Sequence, residues 1–206
     1  MLFRSLLVGV GLAVLQQVTG INAILYYAPE IFKGAGAAAS AAFNDTVWIG
    51  VFNLIFTIVA MLAIDRLGRK PLLLAGAAGM GLSLLLVASA FDSRASGVGL
   101  LAVILAYVSC FAASLGPVVW VVMSEIFPTR IRGRAMSIAT VTLWAACFLV
   151  SQTFPILIDA AGGATAFRVY AAFCAATVLF VALAVPETRG KSLEDIERSW
   201  QGPGRP

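Results

Sequence analysis

Hydrophobic residues along the chain fall into six long runs separated by short polar connections. The runs cover residues 5–32, 47–64, 71–91, 98–127, 134–158 and 166–185. A helix needs roughly 20 predominantly apolar residues to cross a bilayer, so each run is long enough for one transmembrane helix. The runs are continuous rather than alternating, which excludes a β-barrel. The pattern therefore predicts an all-α membrane protein with six transmembrane helices.

Composition supports lipid as the solvent. Of the 206 residues 61% are hydrophobic and 12% are charged, whereas a soluble domain usually carries about 25% charged residues. The three cysteines all lie inside apolar runs and there is no histidine, which argues against a disulfide framework, a metal site or a cofactor. No set of nucleophile and base lies at one depth, so we do not expect an enzyme.

The basic residues indicate the orientation of the chain, because cytoplasmic loops carry an excess of lysine and arginine. Eleven of the fourteen fall on one side of the predicted bundle, against three on the other, Lys33, Arg94 and Arg168. We therefore predict a multi-pass protein of the plasma or inner membrane with both termini cytoplasmic. Residues 1–186 form the bundle in this interpretation, and residues 187–206 form a short cytoplasmic tail. The basic residues cluster at the ends of the runs, so nucleic acid is not an expected partner. The eleven are Arg4, Arg66, Arg69, Lys70, Arg130, Arg132, Arg134, Arg189, Lys191, Arg198 and Arg205.

The first run contains three carboxamides at membrane depth, in the stretch LQQVTGINAILYY. Gln16, Gln17 and Asn22 carry donors and acceptors that hydrocarbon cannot satisfy, so they should face another helix or a water-filled cavity. On a straight helix Asn22 would lie on a different side from the glutamines. The Thr19–Gly20 step offers a place for the helix to bend or unwind, which would let the amides converge. Hydrogen bonding between helices alone remains the alternative.

The fourth run contains a second weak point, in the stretch SLGPVVWVVMSEIFP. Pro117 after Gly116 removes one helical hydrogen bond and predicts a hinge at this step. Trp120 follows one turn later. Carboxamides can donate to and accept from hydroxyls, and an aromatic face can cover the C–H surface of a sugar. These residues favour a neutral ligand with many hydroxyls.

Four stretches, in matching order and spacing, resemble the sugar porters of the major facilitator superfamily. They are QQVTGINAILYYAPEIF, DRLGRKP, GPVVWVVMSEIFPTRIRGRAMSIA and PETRGKSLEDIE. The resemblance covers nearly the whole chain but only the second half of the family's fold, helices seven to twelve of twelve. It implies a carrier of a monosaccharide or polyol that works by alternating access, facilitative or proton-coupled, together with an N-terminal six-helix half that is missing here.

The resemblance also implies roles for individual residues in substrate binding. The paired glutamines and the asparagine would bond sugar hydroxyls, and Tyr26 would help to close the external side. Leu143, before Trp144, departs from the family pattern, in which several members have an amide at that position. Xylose, glucose, another hexose and inositol all remain open as substrates. The substrate-binding set is Gln16, Gln17, Asn22, Tyr26, Asn53, Gly116, Trp120 and Trp144.

Acidic residues beside the arginines predict a charge network at the cytoplasmic helix ends. We expect Glu125 to pair with Arg69, with Arg132 as a further partner, because an acid near the membrane interface needs a partner. In the family such a network latches the helices in the outward-open state. The network set is Asp65, Arg66, Arg69, Glu125, Arg132, Glu187 and Arg189.

Two alternatives to a working carrier half stay open at this point. One is an inactive, truncated transporter fragment, which an upstream reading frame would distinguish. The other is a sugar-sensing receptor, which the short tail after Pro186 disfavours, because receptors of the family usually carry long cytoplasmic extensions.

Overall fold

A computed structural model of the chain describes residues 2–34, 39–93, 97–191 and 195–196. Three of the basic residues counted above, Arg94, Arg198 and Arg205, lie outside the described residues, as does most of the predicted tail. The helices in the described part are α1 (Leu2–Val18), α2 (Ile21–Tyr26), α3 (Ala28–Gly34), α4 (Ala39–Leu67), α5 (Arg69–Asp92), α6 (Val98–Ala112), α7 (Leu115–Ile126), α8 (Arg132–Ala161) and α9 (Gly163–Ala184).

Apart from α3, these helices form six spans that are long and apolar enough to cross a membrane. The first span joins α1 to α2 and the fourth joins α6 to α7, whereas the other four are single helices. The prediction of an all-α membrane protein with six transmembrane helices is therefore confirmed. The spans are Arg4–Tyr26, Phe43–Leu67, Arg69–Asp92, Val98–Ile126, Arg132–Ala161 and Gly163–Ala184.

Close approach of neighbouring helices at glycine residues helps to hold the bundle together, in addition to the packing of large apolar side chains. α5 packs along α9 and α6, and α1 lies against α7, α8 and α9. At Gly76 an added Cβ would lie 1.7 Å from the Ser114 hydroxyl oxygen, and at Gly79 it would lie 2.6 Å from the Cys110 sulfur. Lipid tails are as apolar as leucine, so helices in a membrane associate through such small-residue contacts and through hydrogen bonds.

The second span presents much of its length to the outside of the bundle. Only 17% of its most apolar window is buried, compared with 61% for the first span. Large apolar side chains such as Trp48, Leu54 and Leu62 are exposed along α4. This surface is apolar enough to face lipid or another apolar protein surface.

The break in the fourth span lies three to four residues before the predicted hinge. α6 ends at Ala112, Ala113 and Ser114 form the break, and Gly116 and Pro117 lie inside the first turn of α7. Proline is tolerated in a first turn, where an N–H has no helical partner. The missing N–H of Pro117 would have bonded the carbonyl of Ala113, so the break falls there and not at the proline. The predicted hinge at Gly116–Pro117 is therefore corrected to Ala113–Ser114.

Candidate functional site

The first span breaks at Thr19 and Gly20, where the sequence predicts it. Gly20 has φ of +92°, in the left-handed region that favours glycine, and its N–H donates to the Gln17 carbonyl at 3.0 Å. A Cβ at this position would lie 2.9 Å from the ring of Tyr170. The carbonyl of Thr19 accepts a hydrogen bond from the hydroxyl of the fully buried Tyr107 at 3.0 Å. A backbone carbonyl at the break thus receives a hydrogen bond from a side chain on α6.

The break brings Asn22 back to Gln17. The Nδ2 of Asn22 donates to the Oε1 of Gln17 at 2.5 Å and lies 3.2 Å from the Sγ of Cys147 on α8. On an unbroken helix the two side chains would point in different directions. Two of the three amides thus meet across the break, and the physical cause is the left-handed glycine between them.

Gln16 joins the same region to the start of α7. Its Nε2 donates to the carbonyl oxygens of Leu115 at 2.7 Å and of Gly116 at 3.3 Å. Because both acceptors are carbonyls, the amide cannot be turned around without placing oxygen against oxygen. The buried Oε1 has no hydrogen-bond partner among the described residues. The donor of Gln16 thus serves the contact between helices, and the acceptor is left for another group.

The three amide side chains differ in how far they are exposed to solvent. Gln16 and Gln17 are 3% and 4% exposed in the six-helix body, whereas Asn22 is half-buried. The two glutamines therefore point into the protein, where Gln16 makes the interhelical bond that stood as the alternative to ligand binding. Asn22 is the member of the group that reaches the surface.

The remaining predicted binding residues take three different positions. Gly116 and Trp120 lie one turn apart on α7, and Trp120 is partly buried against the core. Asn53 on α4 is half-buried, and its carbonyl oxygen accepts from the Thr57 hydroxyl of the same helix at 2.7 Å. Two aromatic side chains are open to the outside, Tyr26 at 56% and Trp144 at 57% exposure.

Sequence reasoning missed several residues that build this region. Tyr107 and Cys147 contact the break and the amide pair, and the hydroxyl of Tyr27 donates to the Ser151 carbonyl at 3.2 Å. A tyrosine in the middle of an apolar run was a usable signal for Tyr107, because a buried hydroxyl needs a partner. Cysteine in an apolar run gives no comparable signal, since it behaves as a small hydrophobe.

A second cluster lies at the end of the bundle where α4 meets α5. Arg69 Nη2 is 2.9 Å from Glu125 Oε1 and 3.1 Å from Asp65 Oδ1. The hydroxyl of Thr188 donates to Glu125 Oε2 at 2.5 Å. The expected pair between Glu125 and Arg69 is present, and Thr188 adds a link that the sequence did not indicate.

Glu187 in this cluster caps the start of α5. Its carboxylate accepts from the backbone N–H groups of Arg69 at 3.1 Å and Lys70 at 3.0 Å, and from those of Thr188 and Arg189 at 2.9 Å each. Burial raises the pKa of Glu187, but the four backbone N–H donors, led by Arg189, outweigh burial and hold that pKa below its ordinary value. The carboxylate thus ties the segment after α9 to the positive end of α5.

Three other members of the predicted network do not join it through their side chains. Arg132 Nε donates to the Phe127 carbonyl at 3.3 Å and makes no ion pair with Glu125 within the described residues, so this expected pair is absent. Arg132 instead holds the loop that follows α7. Arg66 is exposed, and Arg189 contributes its backbone N–H while its side chain is also exposed.

Comparison with known proteins places the chain in a class of membrane transporters. A sequence model for the family described as "Sugar (and other) transporter" matches residues 1–200. The chain is 42% identical over 198 residues to an arabinose-proton symporter of Bacillus subtilis, covering 96% of this chain and 43% of the symporter. It is 44% identical to a glucose facilitated diffusion protein of Zymomonas mobilis, covering 94% of this chain and 42% of that protein.

Structural comparison leads to the same class. A solved structure of the major facilitator superfamily proton:xylose symporter, bound to 6-bromo-6-deoxy-D-glucose, superposes with a TM-score of 0.86 at 42% identity. The match covers 95% of this chain and 42% of that structure. The chain belongs to the sugar transporter family of the major facilitator superfamily. It spans less than half the length of the relatives that it matches.

Proposed function

We propose that this chain is one half of a carrier that moves a monosaccharide or related polyol across the membrane by alternating access. The observation that carries the proposal is the hydrogen bond between Gln17 and Asn22 across the helix break, next to Gln16, which bonds the start of α7. In transporters, broken helices at membrane depth mark binding sites near the midplane. Named sugar carriers among the relatives support the same class of substrate.

The amides suit a polyhydroxylated ligand for a chemical reason. Gln16 offers an unused buried acceptor, and the half-buried Asn22 reaches the surface beside Gln17. A sugar hydroxyl can donate to one amide and accept from another, which replaces the water that each group loses. Asn53, Gly116, Trp120 and the exposed aromatic residues Tyr26 and Trp144 complete the proposed site.

Alternating access requires a second body against which this half can rock. The exposed apolar face of α4 and the length of the relatives support a six-helix partner. In this proposal residues 1–186 correspond to helices seven to twelve of the family, residues 187–206 are the tail, and the substrate binds between the halves. Both termini face the cytoplasm of a plasma or inner membrane.

The charge cluster is the proposed cytoplasmic latch. Arg69 links α5 to Glu125 on α7, while Glu187 links the segment after α9 to the start of α5. Pairs of this kind can exist in one state of the carrier and separate in the other, so they bias the equilibrium between states.

The test is uptake of labelled sugars into vesicles that hold the intact protein carrying this chain. Labelled xylose, arabinose, glucose and inositol are compared, with and without a protonophore that separates coupled from facilitated transport. Gln17→Ala should raise KM or abolish uptake of the preferred sugar, because the amide pair is lost. Gln152→Ala removes an exposed glutamine of α8 and is the matched control. Equal uptake by both variants would contradict the proposal, as would absence of uptake of all four sugars by the unaltered protein.

A further inference from the structure

The end of α7 is in direct contact with α1 at Gly9. A Cβ added at Gly9 would lie 2.3 Å from Cζ and 2.7 Å from Cε1 of the Phe127 ring. The ring therefore occupies the space that any other residue at position 9 would need. Phe127 is 1% exposed, and glycine in a helix interior destabilises the helix relative to alanine. What the missing side chain provides at this position is room for the Phe127 ring.

α7 is a short helix with an interruption of the backbone at each end. At its start Ala113 and Ser114 separate it from α6, and at its end Phe127 is extended, with φ of −84° and ψ of 126°. Pro128 follows, and a residue before proline is pushed toward extended conformations. Residues at the ends of an element can absorb the change in backbone angles when the element moves. α7 can therefore tilt as one body and keep its internal hydrogen bonds.

Contacts at both ends hold α7 in its position. Gln16 bonds two carbonyls in the first turn of α7, beside the break. At the far end Glu125 pairs with Arg69, two residues before Phe127 meets Gly9. The charge pair joins α7 to α5, whereas the ring joins it to α1, so two different helices hold the same end. A tilt of α7 that opens this end of the bundle must separate both contacts.

We infer that the Phe127 ring, seated on Gly9, is an apolar stop that holds the cytoplasmic end of α7 closed. The inference rests on the proposed alternating access, and it adds an uncharged contact to the proposed latch. A ring either fills such a space or leaves it, because close-packed contacts have discrete arrangements. In the inward-open form α7 tilts about Ala113–Ser114 and the ring leaves Gly9. The amide cluster takes no part in this step.

The test measures the position of α7 in the intact protein that carries this chain, in detergent and without sugar. Spin labels are attached through unnatural amino acids at Arg66 and Thr129, two exposed positions at this end of the bundle, so that the native cysteines stay in place. Pulsed electron paramagnetic resonance gives the distribution of distances between the labels. The variant is Gly9→Ala. The control is Gly11→Ala, where the Cβ would lie 2.7 Å from the Phe180 ring on α9, so that α1 is disturbed away from α7.

Gly9→Ala should shift the labels toward longer distances, because the added Cβ displaces the Phe127 ring. The ratio of long to short distances should rise by at least about fivefold, the lower end of the usual coupling between two states. Gly11→Ala should change this ratio by less than about twofold, since its new contact does not involve α7. Equal ratios in the two variants, or no change in either, would overturn the stop and leave Gly9 a role in packing alone.

Phe127→Leu approaches the same contact from the other side. The shorter side chain leaves the space over Gly9 partly empty, so this variant should also raise the ratio of long to short distances. Combined with Gly9→Ala it should come closer to the unaltered protein than either single variant, because the new methyl group fills part of the space that the ring vacates. An additive shift in the double variant would reject the stop. If Gly9→Ala does not fold, Phe127→Leu alone decides, and an unchanged ratio rejects the stop.

Uptake of labelled sugar, measured in parallel, separates this inference from the proposed function. Distances that do not respond to Gly9→Ala or Phe127→Leu, in a protein that takes up sugar, refute the stop and leave the carrier in place. Distances that respond as expected, in a protein that takes up none of the four sugars, support the stop as a contact and refute the carrier.

Discussion

Asn22 and Gln17 lie on opposite sides of a helix break, yet their carboxamides are joined by a hydrogen bond of 2.5 Å. The break supplies the geometry, because Gly20 takes a left-handed φ of +92° between them. Breaking a transmembrane helix releases backbone groups that hydrocarbon cannot satisfy. The hydroxyl of Tyr107 donates a hydrogen bond to one of these groups, the carbonyl of Thr19. The surrounding fold therefore stabilises the break.

The amide pair should show energetic coupling. We expect Gln17→Ala and Asn22→Ala in the intact protein to be non-additive by about 0.6 kcal/mol, and by no more than about 1.7 kcal/mol, the range for hydrogen bonds within membrane proteins. The measurement is a double-mutant cycle on the free energy of unfolding in detergent. A second cycle with Gln17→Ala and Gln152→Ala should be additive, since Gln152 is exposed on α8. Additivity in both cycles would contradict the coupling.

Gly20→Ala should destabilise the protein and impair sugar uptake. A non-glycine residue in the left-handed region costs about 1–2 kcal/mol, and the new Cβ would also collide with the Tyr170 ring at 2.9 Å. The measurement is the unfolding temperature in detergent together with uptake. Gly50→Ala is the control, because nothing lies within 4 Å of a Cβ there and its φ is negative. Similar unfolding temperatures for the two variants would show that the break tolerates a side chain.

Tyr107→Phe should lower stability by about 1–3 kcal/mol, because it leaves the buried Thr19 carbonyl without its donor. The ring itself is kept, so packing changes little. Tyr170→Phe is the matched control, since the Tyr170 hydroxyl makes no hydrogen bond within the described residues. Hydrogen exchange at residues 19–24 should rise in the Tyr107 variant only. An equal change in both variants would show that the effect does not come from the bond to Thr19.

Glu125→Gln should weaken the latch proposed for the cytoplasmic end. Glu125 holds Arg69 and Thr188 at once, so its loss should favour the inward-open form and slow net transport several-fold, a change of about 1 kcal/mol. The measurements are transport rate and labelling of cysteines placed at the cytoplasmic end. Asp65→Asn should have a smaller effect, because the Asp65 side chain is 78% exposed compared with 22% for Glu125. Unchanged rates and unchanged labelling in Glu125→Gln would reject the latch.

Glu187 should make stability depend on pH in the acid range. Its pKa in the folded protein is below the ordinary value of 4.5, so the ionised carboxylate stabilises the fold above that pH. This stabilisation is lost as the pH falls through the lowered folded pKa, where the carboxylate becomes protonated. The unfolding temperature of Glu187→Gln should therefore lie below that of the unaltered protein at pH 7, and the gap should close as the pH falls below about 4.5.

Glu30→Gln serves as the control for this pH series. Glu30 is an exposed acid in α3, outside the charge cluster, so its removal should leave the gap at pH 7 near zero. A gap for Glu187→Gln that stays constant across the series would show that the carboxylate does not stabilise the fold through its charge.

The sequence by itself determined the solvent, the number of spans and the position of the first break. Six continuous apolar runs indicate helices in lipid, because a helix satisfies the hydrogen bonds of its own backbone N–H and C=O groups where no water is present. Gly20 was identifiable as a point of weakness, because it follows two adjacent amides at membrane depth, and glycine alone adopts a positive φ without strain. The need of Glu125 for a cationic partner also followed from the sequence, since an acid near the interface requires one.

Only the tertiary structure decided which groups bond to the backbone at each helix break and which groups pair with each charged side chain. Tyr107 and Cys147 reach the first break from α6 and α8, which are distant in the chain, and no local pattern encodes that approach. The second break lies at Ala113–Ser114 and not at Gly116–Pro117, because the missing N–H of Pro117 leaves the carbonyl of Ala113, four residues earlier, without its helical donor. Arg132 bonds its own loop instead of Glu125, whose second oxygen accepts from Thr188. Hydrogen-bond partners depend on distances between helices, and those distances are fixed by packing and not by spacing along the chain.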